Sequence, residues 1–126
     1  MKTKAMVWIY SIDEPTPIVI TKYMGQTVRT INYMITPCKE GDYRWKRLSV
    51  TLEPGIWTRD AIIDAIITQE YPRDRMEAVQ NNYLKDQEDD SALEEMREMQ
   101  EWRDFAKRTA DELLALDPEG GVPDTE

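Results

Sequence analysis

The sequence predicts an α+β fold: an N-terminal antiparallel β-meander of about four strands, then two short helices and one long C-terminal helix. Three observations carry this. Residues 1–57 are rich in Val, Ile, Thr, Tyr and Trp, which favour strands, and residues 58–126 in Ala, Leu, Met, Glu and Arg, which favour helices. Charge divides at the same point: eight Lys/Arg against five Asp/Glu up to Trp57, net +3, and eight against twenty from Thr58 on, net −12, which together give −9. Apolar spacing changes there too, from alternate residues to every third or fourth. At 126 residues and 40% hydrophobic, the chain suits one domain over residues 1–116. The tail, "DPEGGVPDTE" (117–126), lacks periodicity and is expected to be disordered.

The strands come first. "AMVWIYSI" (5–12) is apolar on both faces and reads as a central strand, ended by "EPTP". "PIVITKY" (17–23) follows, with a turn around Gly25. "TVRTINYMI" (27–35) sets Ile31, Tyr33 and Ile35 on one face, and "TPCKEGD" (36–42) reads as a loop with Gly41 near its tip. "YRWKRLSVTL" (43–52) sets Leu48, Val50 and Leu52 on one face, with Tyr43 and Trp45 on the other parity. Either that strand bulges near Lys46 and Arg47, or its two aromatics face outward. Short connections between the four strands predict a meander.

"EPG" (53–55) closes the strand region, and Thr58 is the natural N-cap of "RDAIIDAIITQEY", whose Ile62, Ile63, Ile66 and Ile67 make one broad apolar face. Pro72 stops that helix. Asp74 with Glu77 reads as a capping box for a second helix, with Met76, Val79 and Tyr83 as its stripe. "KDQEDD" (85–90) is a charged connection, and Ser91 with Glu94 repeats the capping-box signal.

From Ser91 to Leu116 no glycine or proline interrupts the chain, which predicts a helix of roughly 39 Å. Its apolar residues Met99, Trp102, Ala106, Thr109, Leu113 and Leu116 recur in a heptad-like pattern, widened by Met96, Phe105, Ala110 and Leu114. The stripe packs either on the chain's own sheet and shorter helices or, along its outer half, on another chain. On the second reading Met99, Trp102, Phe105, Leu113 and Leu116 are partner-binding anchors.

Composition excludes several chemistries. The absence of histidine removes His-based triads, bases and metal ligands. A lone cysteine, Cys38, forms no internal disulfide and fits a reducing compartment. Asp60 and Asp64 lie one turn apart but lack further ligands, so they read as a solvated face. "DQEDD" (86–90) lacks the glycine and spacing of a calcium loop. No phosphate loop, dinucleotide fingerprint or nucleophile elbow occurs, so no enzyme activity, metal or cofactor is expected. The acidic charge argues against general affinity for nucleic acid. The basic-aromatic strand around Tyr43 and Trp45 still offers a second, peptide- or nucleic-acid-binding reading, and the acidic half a third, as a nucleic-acid mimic. No run approaches the roughly 20 apolar residues of a membrane span.

Residues 43–84 and 98–116 resemble small proteins of Bacteroidales bacteria of the kind encoded in prophages and other mobile elements. The resemblance implies a phage-type accessory or structural protein, tail- or assembly-related, in the host cytoplasm or associated with the virion. Its expected partner is another protein: a second copy or a larger particle.

Overall fold

The computed structural model describes residues 8–118. Four antiparallel strands, β1 (Ile9–Ser11), β2 (Ile18–Tyr23), β3 (Gln26–Glu40) and β4 (Tyr43–Thr51), precede three helices, α1 (Arg59–Glu70), α2 (Arg73–Lys85) and α3 (Asp90–Leu116). The sheet order is β1-β4-β3-β2. Strands β2, β3 and β4 therefore form a meander, while β1 crosses to the far side of β4. The first strand is thus an edge strand of three residues rather than the central one its apolar sequence predicts. Ile9 and Tyr10 are exposed, since no strand among the described residues lies on the outer side of β1.

Tight turns join the meander. Tyr23 pairs with Gln26 across Met24–Gly25, both with positive φ (50° and 81°), as a type I′ hairpin turn requires. Glu40 pairs with Tyr43 across Gly41–Asp42, so residues 36–40, expected in a loop, extend β3 instead. The irregularity sits opposite its predicted place. Between the pairs Tyr33–Leu48 and Thr36–Lys46, β3 holds one residue more than β4. The bulge is therefore in β3, at Met34 (φ 52°) and Ile35, facing Arg47, and a second follows between Pro37 and Glu40, where Cys38 and Lys39 face Arg44.

The three helices cover one sheet face. Ile31, Tyr33 and Leu48 from the sheet and Leu52 just after β4 meet Ile62, Ile66 and Ile67 of α1, Val79 of α2 and Met99, Trp102, Ala106, Ala110 and Leu113 of α3. Thr58 caps α1 as its sequence predicts, its hydroxyl accepting from the Ala61 N–H at 3.1 Å. The two expected capping boxes are replaced. Helix α2 starts at Arg73 behind Pro72, whose carbonyl accepts from Met76 N–H (3.0 Å). Helix α3 starts at Asp90, capped by the Asp89 carboxylate accepting from Ser91 N–H (2.9 Å), and Glu94 pairs with Arg97 instead. Of the expected α2 stripe, Val79 is buried and Met76 and Tyr83 half-buried. Helix α3 is unbroken over 27 residues. Asp117, expected at the head of a disordered tail, caps α3 and accepts from Arg29 Nε (2.9 Å); residues 119–126 lie outside the described residues.

Candidate interaction surfaces

The long apolar stripe of α3 is used by the chain's own core. Met99, Trp102 and Leu113 are at most 3% exposed. The Trp102 indole donates to the Ile66 carbonyl of α1 (3.0 Å), and its ring lies 5.2 Å from that of Phe105 and 6.5 Å from that of Tyr33. Phe105 is half-buried, 6.1 Å from Tyr33. These four of the five expected anchors are therefore packed against α1 or the sheet, and only Leu116 is well exposed, at 64%. The stripe is wide because α3 packs on two helices and a sheet at once; periodicity registers the burial, not what supplies it.

A polar network lies under the aromatic cluster. The Tyr33 hydroxyl donates to Gln69 Oε1 (2.5 Å), and Gln69 Nε2 donates to the Ser49 carbonyl (2.6 Å), tying α1 to β3 and β4. Burial, and then the negative charge of Glu70, push the Tyr33 phenol well above its ordinary pKa. Glu70 is buried and ion-paired with Arg75 (3.1 Å), whose guanidinium also donates to the Glu70 carbonyl and lies over the Tyr71 ring. A second cluster, invisible in sequence because its members are 28 and 60 residues apart, fixes the end of α3. Trp57 Nε1–H donates to the Asp117 carbonyl (3.3 Å) while Arg29 sits over the Trp57 ring. Among the described residues every buried side-chain nitrogen or oxygen has a hydrogen-bond partner, and no group of three or more acidic or cysteine side chains is placed to hold a metal ion.

The basic-aromatic strand is only partly available. Tyr43 is 47% exposed and stacks near Tyr10 (5.9 Å), while Trp45 is half-buried, in register with Ser11 and Pro37. The Lys46 ammonium lies over the Trp8 ring, and Arg47 donates to Asn32 Oδ1 (3.0 Å). Two of the three cations near these aromatics are thus engaged within the sheet.

Among the described residues, lengths of sheet edge remain at β1, at β4 beyond Arg47 on the β1 side, at β3 beyond Ile31 and at β2, and they differ in protection. The edge at β1 is three residues long, followed by Asp13, Glu14 and Pro15. Beyond Ile31, β3 has no strand beside it on the β2 side among the described residues, leaving a groove of about 210 Å³ between Met34, Ile35, Phe105 and Leu116. That edge is blunted: it carries the bulge, Thr36 donates its hydroxyl to the Met34 carbonyl (2.9 Å), and Pro37 has no N–H. The outer edge of β2 has none of these devices. "IVITKY" runs six residues without proline or bulge, and Val19, Ile20, Tyr23 and the adjoining Met24 are 40–85% exposed. The apolar residues of 17–23 mark a strand in the sequence without saying which strand lies outermost.

No helix among the described residues is long and apolar enough to cross a membrane. Comparison with protein-family models, with curated proteins and with solved structures finds no match.

Proposed function

We propose that this chain is a non-enzymatic structural or assembly accessory protein, of the phage type that the resemblance of residues 43–84 and 98–116 suggests, and that it associates through the outer edge of β2 rather than along α3. The observation that carries the reading is a contrast between edges: those at β1 and at the far end of β3 are shortened, bulged or proline-blocked, whereas β2 is apolar, of high strand propensity and without a neighbouring strand among the described residues. Such an edge is a template for another strand. Its single lysine, Lys22, is the one gatekeeping charge in the segment. The α3 stripe contributes rigidity, holding the sheet through Tyr33, Trp102 and Phe105.

The test is a synthetic peptide of residues 17–24 titrated into the protein. An edge competent to add a strand binds it, and Ile20→Pro in the protein abolishes the binding. That substitution removes a backbone donor from the open side of an edge strand, where proline is tolerated. No detectable binding to the folded wild-type chain contradicts the edge reading.

A further inference from the structure

Alternation along the ladder decides which backbone groups β2 offers. Asn32 donates its N–H to the Pro17 carbonyl (2.8 Å), so Pro17, Val19, Thr21 and Tyr23 turn their backbone groups toward β3. Ile18 and Ile20 turn theirs toward the open side. Side chains alternate as well. Lys22 lies on the helix-covered face, its ammonium donating to Thr27 (2.9 Å), with Ile18 and Ile20. Val19, Thr21 and Tyr23 lie on the bare face.

We propose that the occupant of this edge is a second copy of the same chain, β2 against β2, antiparallel about a two-fold axis through Thr21. The proposal rests on the edge reading above and names its partner. A two-fold axis perpendicular to a sheet pairs a strand with itself antiparallel, residue i against j and j against i. Directly opposite residues share a face, so the axis passes through a residue and not between two. At Thr21 the strand is self-complementary. Val19 meets Tyr23 of the second copy on both sides of the axis, and Thr21 meets its own counterpart; aromatic–β-branched and Thr–Thr are both stabilising cross-strand pairs. The pairing covers Val19 and Tyr23, now 40% and 59% exposed. Charge fits too. Each copy carries −9, and Lys22 is the only charged residue between 15 and 28, so two acidic bodies meet here with little direct repulsion. The two Lys22 side chains face Ile20, not each other, so no like charges stand opposite.

The register makes a sharp test. Opposite Thr21 residues form a non-hydrogen-bonded pair, with Cα atoms about 4.5 Å apart, inside the roughly 4.4–6.8 Å range that a disulfide spans. Thr21→Cys in a Cys38→Ser background is expected to convert to a disulfide-linked dimer under mild oxidation. Thr30→Cys in the same background, on the same face but one strand inward, is expected to remain unlinked. Adding Ile20→Pro to the Thr21→Cys protein should suppress its cross-link. Circular dichroism confirms that each variant is folded. A folded Thr21→Cys protein that fails to cross-link, or that links no faster than the Thr30→Cys control, overturns the proposal. If the peptide of residues 17–24 still binds in that case, the open edge stands and its partner is not a second copy; if neither occurs, both readings fall.

Discussion

Replacing Trp102 by alanine separates a core residue from an interface anchor. The indole is 1% exposed, donates to the Ile66 carbonyl and contacts the rings of Tyr33 and Phe105. A buried tryptophan removes about 150–250 Å² from water, worth about 4–6 kcal/mol at ~25 cal/mol per Å². Each ring contact adds about 0.5–1.5 kcal/mol and the hydrogen bond about 1 kcal/mol. Relaxation around the cavity returns part of this, so the expected cost is that of other large aromatic truncations, about 3–5 kcal/mol. A domain of this size holds on the order of 5–15 kcal/mol in total. The alanine variant therefore sits close to unfolding, and Trp102→Phe supplies a milder step: it keeps a ring, loses the indole donor, and should cost about 1–2 kcal/mol. Guanidinium unfolding monitored by circular dichroism measures both, with association followed in parallel by sedimentation. A loss below about 1 kcal/mol for the alanine variant, with association weakened, refutes the reasoning, because it makes Trp102 a contact residue and not a structural one.

Other positions give smaller, independent effects. Met24 occupies a left-handed position at φ 50° in the β2–β3 turn, where asparagine before glycine is preferred; Met24→Asn should raise stability by a few tenths to about 1 kcal/mol in the same unfolding assay. Thr58→Ala removes the side chain that accepts from Ala61 N–H and should cost about 1 kcal/mol without changing association. Tyr33 carries a pH prediction. Its folded pKa is raised by burial and by Glu70, so its contribution is intact below the ordinary tyrosine value and is lost as pH rises above it, when the unfolded chain ionises and the folded one does not. Stability should fall by up to about 1.4 kcal/mol per pH unit above about pH 10, and Tyr33→Phe should remove that part of the slope.

Local chemistry was legible in the sequence where one residue decides the outcome. Thr58 caps α1 through its side chain, and Pro72, one residue past the Tyr71 C-cap, ends it. The capping boxes failed because Asp89 and Pro72 stand one residue before α3 and α2 and take the first turn ahead of Ser91 and Asp74. Strand order was not legible. Trp8, Ile9 and Tyr10 are as apolar as a central strand, yet they lie beside β4 at the rim, where Trp8 packs under Lys46 and Tyr10 near Tyr43. Strand β4 holds no extra residue, so Tyr43 and Trp45 fall on the opposite parity from Leu48 and Val50 by plain alternation, the second of the two expectations; the bulges lie in β3, where the sequence carries no parity signal for them. The same ambiguity governs the surfaces. The spacing of Met99, Trp102 and Leu113 marks a buried helix face whether the cover is α1 and the sheet or a second chain, and only the fold distinguishes them. The β2 edge carries no motif; it became visible through the order of the strands.

Hydrogen exchange as a function of protein concentration tests the central claim, association through β2, most directly. The amide of Ile20, which faces Lys22 of the second copy, should gain protection as concentration rises, while those of Val19 and Thr21, already turned toward β3, and those of α3 stay unchanged. Protection at Ile20 that is independent of concentration, or a concentration-dependent gain confined to α3, contradicts the account.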